Sequence, residues 1–303
     1  MTALGLGCAP IGNLFAGVSD DDAQATVAAA WDAGIRYFDT APLYGHGVSE
    51  RRLGRALGDR PRDQYVLETK VGRVLDPAGP ERAETIFTDV GDLEPRFDLS
   101  HDGIMRSLEE SLARLGTDRI DVALLHDPDD HEDDAFRYAF PTLLQLREEG
   151  VVRAIGCGMN QASMLERFVD RVDLDCVLLA GRYSLLDQSG AALLDQCATR
   201  GVGVVIGGVF NTGILIDPEA SPTYDYAAAP SAVIEHARRL RAVCEAHGIA
   251  LGAAALQFAM RHPAVTTVLV GARSASEVEL DVSHAAARIE DAVFDELAAV
   301  TAG

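Results

Sequence analysis

The tightest constraint on this chain is a regular alternation of short β-rich runs with amphipathic helical stretches along its whole length. Runs at 4–8, 37–39, 65–70, 121–125, 154–158, 175–179, 202–206 and 267–270 read as strands. Between them lie helical stretches near 20–33, 48–57, 101–115, 133–149, 161–171, 189–200 and 230–261, with two more near 275–286 and 291–300 after the last strand. The longest should break at Gly248, where Ala-His-Gly reads as a helix end. Eight β-then-α units in 303 residues predict an α/β fold, a (β/α)8 TIM barrel spanning 1–303 as a single domain. A doubly wound dinucleotide fold would need GxGxxG after the first strand. That stretch reads Gly5-Leu6-Gly7-Cys8-Ala9-Pro10, with proline where the third glycine belongs. Two connections are long, 71–100 and 207–229, and long βα loops of a barrel cover its catalytic face.

Composition narrows the partners. Lys and Arg number 26 against 47 Asp and Glu, a formal charge of −21. That argues against nucleic acid or an anionic membrane surface, since phosphate binding rests on neutralisation by basic side chains. No apolar run approaches the ~20 residues of a membrane span. The start lacks the basic stretch and long apolar core of a secretion signal. Five widely spaced cysteines without CxxC read as buried thiols in a reducing compartment, so a cytoplasmic location is expected.

In such a barrel, chemistry sits at the C-terminal ends of the strands. The second strand ends in Asp39 with Tyr44 just beyond, the third in Lys70, and the fourth leads into His126-Asp127. Lys70 is the one lysine among 26 basic residues. Arginine serves well as a solvated charge but not where a compact, titratable ammonium is needed. Lys70 should favour the tyrosinate and lower the Tyr44 pKa from its usual ~10, while Asp39 keeps the lysine charged and in place. His126 can donate to a carbonyl oxygen as charge develops there. Each residue alone has an ordinary reading as a helix cap, a packed aromatic, a surface charge or part of an acidic turn. Their convergence on one rim points to acid–base chemistry.

The run from Gly34 through Asp39 and Tyr44 to Gly45, followed in order by Lys70 and His126, resembles the signature of the aldo-keto reductase family. The resemblance covers essentially the whole chain. It implies an NAD(P)-dependent oxidoreductase in which hydride passes directly between nicotinamide and a carbonyl carbon, with Asp39, Tyr44, Lys70 and His126 as the catalytic set. The implied cofactor is NADP(H) or NAD(H), with no metal. Asn160 resembles the residue that holds the nicotinamide carboxamide, although Met159 replaces the usual serine. Phe210, Asn211, Gly213 and Leu215 resemble a loop that wraps the pyrophosphate with backbone N–H groups. Gly271, Arg273 and Ser274, with Glu277 and Asp281 beyond, resemble the adenosine-phosphate site. There Arg273 at a helix start suits a 2′-phosphate and the two carboxylates oppose it. Gly207-Gly208 stands where many members place an aromatic against the nicotinamide, with Phe210 and Tyr183 as substitutes. The bottom hairpin of the family is expected to be shortened or absent.

Stretches 8–15, 180–188 and 207–213 further resemble the aldose 1-dehydrogenase branch of that family. This implies oxidation of a sugar hemiacetal at C1 to the lactone, with Tyr44 as the acid–base group. Asn13, Asp127 and Arg182 are then candidate hydroxyl-binding groups and Phe15 an apolar wall. The main alternative is an NADPH-dependent aldehyde or ketone reductase on the same site. A metal-dependent barrel hydrolase or isomerase, prompted by His126 and His131, lacks the His-x-His on strand one that such sites use. A cofactor-sensing module without activity is disfavoured because all four proton-transfer residues are present. The expected partner is a small sugar or carbonyl compound, and a monomer and a homo-oligomer both stay open.

Overall fold

The computed structural model describes residues 2–80 and 83–302; Met1, Glu81, Arg82 and Gly303 lie outside the described residues. Eight parallel strands close into a barrel. They are β1 (Leu4–Gly7), β2 (Tyr37–Asp39), β3 (Val66–Val71), β4 (Val122–His126), β5 (Ala154–Met159), β6 (Cys176–Ala180), β7 (Gly203–Gly207) and β8 (Val265–Gly271). Each pairs with its neighbour in sequence, and β8 closes on β1 with Leu4 opposite Val268. The (β/α)8 barrel is thus the fold, and each expected strand is present.

Alternation along the strands explains the packing. Tyr37, Leu124, Leu178, Val205 and Leu269 fill the barrel interior. Their neighbours Phe38, Leu125, Val177 and Ile206 face the surrounding helices in a second, larger core. Strands buried on both faces read as nearly continuous apolar runs. Gly5 makes the interior possible: a Cβ there would lie 2.8 Å from Leu269 and 3.2 Å from the Tyr37 ring. The missing side chain is the space that the buried tyrosine occupies.

The helices start where their caps are. Ser19, Ser100 and Ser274 accept backbone N–H groups at the starts of Asp20–Asp32, His101–Leu115 and Ala275–Ala286. The long helical stretch splits into Ser231–Ala246 and Leu251–Met260, bent by 97°, with Gly248 between them at φ 68°. Among the described residues no single helix is long and apolar enough to cross a membrane. All five cysteines are buried and unpaired. No strand precedes β1 among the described residues; Thr2 accepts from the Arg36 N–H at 3.1 Å through its hydroxyl and from Thr267 at 2.9 Å through its carbonyl.

Both long connections lie at the C-terminal mouth, and each folds into a small antiparallel hairpin. Arg73–Pro77 pairs with Leu93–Phe97, and Thr223–Tyr224 pairs with Ala227–Ala228.

Candidate active site

The ends of β2, β3 and β4 bring Asp39, Lys70 and His126 to one rim, only 3%, 1% and 4% exposed. The turn after β2 folds Tyr44 back over them. Lys70 Nζ forms a buried ion pair with Asp39 Oδ1 and donates to the Tyr44 hydroxyl at 3.0 Å and to the Thr40 carbonyl at 3.1 Å. All three ammonium protons are thereby committed. The Tyr44 and His126 rings meet edge to face with centroids 5.7 Å apart. All four residues expected to carry the chemistry therefore stand together.

Their electrostatics differ from expectation at one point. Burial disfavours the tyrosinate and the Asp39 carboxylate opposes it further, so the Tyr44 pKa is raised although Lys70 pulls it down. The expected lowering by Lys70 is present, but desolvation and Asp39 outweigh it. Burial also works against the Lys70 charge, yet the adjoining Asp39 carboxylate raises its pKa above the ordinary lysine value. Burial, helped by Lys70 and Arg73, holds His126 well below the usual histidine range, so the imidazole is neutral. Its Nε2 lies 3.5 Å from Asp127 Oδ2, and its buried Nδ1 has no hydrogen-bond partner among the described residues. The site thus offers a protonated phenol, a fixed ammonium and a neutral imidazole around one position.

The walls come from loops held in costly backbone conformations. Asn13, Phe15, Asp127, Asn211, Thr212, Asp225 and Tyr226 all have φ between 41° and 69°, and all follow the C-terminal ends of strands. Left-handed backbone at such residues costs on the order of 1 kcal/mol each, and strain of this kind gathers at functional sites. Phe15 meets Tyr226 with ring centroids 5.8 Å apart, and the Phe15 N–H donates to the Ile86 carbonyl at 2.9 Å. Phe87 lies 6.0 Å from the Tyr44 ring. The loops after β1, β3 and β7 therefore meet over the tyrosine. Arg73 pairs with Asp127 at 3.3 Å on the same rim.

Two residues expected to bind hydroxyl groups have other tasks. Asn13 is 3% exposed, and its side-chain carbonyl accepts from Val18 N–H at 2.9 Å and Arg52 at 2.8 Å. It ties its own loop down. Arg182 Nη1 grips both Asp225 oxygens at 3.0 and 2.9 Å and lies 3.3 Å from Asp187. Its Nε donates to the Asn160 carbonyl at 3.2 Å. Arg182 is thus a clamp on the hairpin that carries Tyr226. Arg182→Ala should speed proteolysis within 221–229 and raise the substrate KM about tenfold, the loss of charge-assisted hydrogen bonds of about 1.4 kcal/mol or more. Unchanged proteolysis with a raised KM would instead assign Arg182 a direct contact. Phe15 and Asp127 keep their places at the mouth. Tyr226, Phe87 and Arg73 escaped the sequence reading, since only the fold brings their loops over the site.

The nucleotide candidates form a band across the other side of the mouth. Asn160 is exposed just past β5. The Tyr183 ring stacks on Phe258 at 5.2 Å and meets His262 edge to face at 5.7 Å. Phe210 is half-buried against both cores. The Asn211 amide is held by Ser184 at 2.5 Å and by the Gly181 carbonyl at 3.2 Å, and Leu215 is fully buried. What 207–215 offers a ligand is therefore backbone. Gly208 at φ 66° is required there, because a Cβ would stand 3.1 Å from the Gly181 nitrogen. Gly271 is the exposed last residue of β8. Ser274 caps the next helix, while Glu277 accepts the Arg273 N–H at 2.8 Å and lies 3.9 Å from its guanidinium. Asp281 is 5% exposed and turned inward, where burial and Glu277 push its pKa up to about 7. Exposed Gly208 and Gly271 and an exposed Arg273 at a helix N-terminus fit an anionic dinucleotide. Among the described residues, no group of three or more His, Cys, Asp or Glu could hold a metal ion.

Barrel, rim and cluster together form a site built for acid–base chemistry, and comparison with known proteins identifies its class. The Aldo/keto reductase family matches residues 3–302, and the chain belongs to that family. D-threo-aldose 1-dehydrogenase from a Pseudomonas species is 43% identical, across 98% of this chain and 93% of the relative. Pyridoxal 4-dehydrogenase from Microbacterium luteolum is 41% identical, across 93% and 89%. Among solved structures, the holo form of aldo-keto reductase AKR11C1 from Bacillus halodurans superposes with a TM-score of 0.78 at 27% identity, covering 98% of this chain and 91% of that one.

Proposed function

We propose that the protein oxidises an aldose at C1 to the lactone, using NADP+ or NAD+, with Tyr44 as the acid–base group. The observation that carries this reading is the hydrogen bond from Lys70 to the Tyr44 hydroxyl at 3.0 Å, backed by the buried Asp39 pair. The choice of an aldose rests on the 43% identity to D-threo-aldose 1-dehydrogenase.

A bound dinucleotide supplies the hydride acceptor. Tyr44 reacts as the phenolate, whose charge Lys70 offsets, and becomes the phenol on taking the proton of the anomeric hydroxyl. Asp39 holds the ammonium in place and charged. His126, being neutral, donates to the same substrate oxygen without adding a net charge to the site. Phe15 and Tyr226 cover the apolar face of the sugar, and Asp127 accepts from a hydroxyl. Asn160, the backbone of 207–215, Gly271 and the Arg273–Ser274 helix start hold the dinucleotide. Arg273 favours a 2′-phosphate, whereas Glu277, already bonded to the Arg273 N–H, weakens that preference.

A panel of aldoses crossed with NAD+ and NADP+, read at the reduced-nicotinamide absorbance band, tests the proposal. Reduction of nucleotide by D-threo-configured aldoses is expected. A second reading, reduction of aldehydes or ketones, is favoured by the proton that the raised pKa keeps on Tyr44 at neutral pH. The same assay with NADPH or NADH and simple aldehydes separates the two.

A further inference from the structure

Beneath the acid–base cluster lies a carboxyl group that the mechanism above does not use. Glu68 precedes Lys70 by two positions on β3, so both side chains point into the barrel, with Glu68 one layer deeper. It is fully buried and stands opposite Asp39 in the β2–β3 register. The Tyr37 hydroxyl donates to Glu68 Oε2 at 2.5 Å, while Oε1 meets no N–H or O–H donor among the described residues. Around it the interior is lined by Val122, Leu124, Leu178 and the Cys176 thiol. The titratable groups facing Glu68 are Tyr37 and Asp39 from β2, Lys70 from its own strand and Cys176 from β6.

This region therefore holds two carboxyl groups and one ammonium, all shut away from water. Two carboxylates on paired positions cannot both stay ionised against a single cation in such surroundings. Asp39 takes the ammonium directly, which leaves Glu68 without a cation in contact. An Oε1 without a donor suits an oxygen that carries its own proton.

We propose that Glu68 remains protonated through the working pH range and donates that proton to Asp39, acting as a positioning residue for Tyr44. The O–H bond stays on Glu68, and no proton is transferred. By sharing the Asp39 charge, the neutral acid leaves more of the Lys70 charge to favour the tyrosinate. Burial first, and then the Asp39 carboxylate, raise the Glu68 pKa well above the usual carboxylate range, with Lys70 only partly opposing them. The Tyr37 hydroxyl fixes the rotamer of the acid, and Gly5 provides the room for that ring.

The kinetic part rests on the function proposed above; the protonation state does not. Infrared pH titration of the full-length protein should show a buried carboxylic C=O band persisting from about pH 5 to about pH 8, and missing in Glu68→Gln. Its absence from the wild type would overturn the proposal. In the oxidation assay, Glu68→Leu should move the midpoint of the kcat/KM profile up by about one pH unit, a roughly tenfold loss below that midpoint. Glu68→Gln keeps one donor and one acceptor and should bring the midpoint back to within about 0.3 unit of the wild type. A downward shift of about one unit in Glu68→Gln would mean that a negative charge had been removed, and would contradict the proposal. If Glu68→Leu does not fold, the Gln variant still decides. If no sugar or carbonyl compound is turned over, the function reading fails alone and the infrared band still tests Glu68.

Discussion

Tyr44→Phe should fold as the wild type does and lose about 10³-fold in kcat, within the range for removal of a general acid–base group. The two expectations come from different parts of the same geometry. Removing the hydroxyl deletes one hydrogen bond from Lys70 Nζ, but the ammonium keeps Asp39 and the Thr40 carbonyl. The cost to stability should be about 1–3 kcal/mol, because one buried ammonium proton loses its acceptor. The cost to activity is large because no other side chain at this rim can hold or release a proton at the substrate oxygen near neutral pH. His126 is neutral, its pKa pushed down by burial and by the nearby cations, and Lys70 is held charged. The pH dependence has a definite sign. Because the Tyr44 pKa is raised, the tyrosinate is the minor form at neutral pH, and oxidation should speed up as pH rises. Reduction, which needs the phenol, should vary little over that range. In Tyr44→Phe the residual oxidation should lose its rise with pH; a retained rise would move the proton-transfer role to another group.

Lys70→Met should carry the larger stability penalty. It leaves the Asp39 carboxylate, only 3% exposed, with no cation, in a barrel that already buries Glu68. Breaking such a buried pair from one side costs about 3–5 kcal/mol, because a lone charge stays behind. Restoring neutrality with the double variant Lys70→Met/Asp39→Asn should recover most of that loss, as read by chemical denaturation of the wild type and the two variants. Activity should fall in both, since neither offers an ammonium to the Tyr44 oxygen. Equal stability of the single and double variants would show that the ion pair is not what holds this rim together.

The barrel and its acid–base cluster were legible in the sequence for the same reason. Strand–helix alternation sets the fold, and a barrel assigns strand ends to one face, so Asp39, Lys70 and His126 could be grouped from order alone. The single lysine added a compositional pointer to a position where arginine would not serve. The parts that stayed hidden depend on partners far apart in sequence. Asn13 and Arg182 have the side-chain chemistry of sugar ligands, but Arg52 and Asp225 claim them first. Phe15 and Tyr226 meet only because both adopt left-handed backbone, at φ 62° and 63°, which neither residue type advertises. The direction of the Tyr44 shift was missed because the depth of burial, which decides it, is a property of the closed barrel. Glu68 is legible in the sequence: the two-residue period of a strand puts it on the same face as Lys70, one layer below the strand ends.

The central claim is that this site takes hydride from C1 of an aldose. Following deuterium from that carbon tests it most directly. With a C1-deuterated D-threo-aldose and either NADP+ or NAD+, the deuterium should appear in the reduced nucleotide, one per lactone formed, and turnover should slow relative to the unlabelled sugar. Reduced nucleotide free of deuterium, or no turnover of any aldose while simple aldehydes are reduced, would contradict the account.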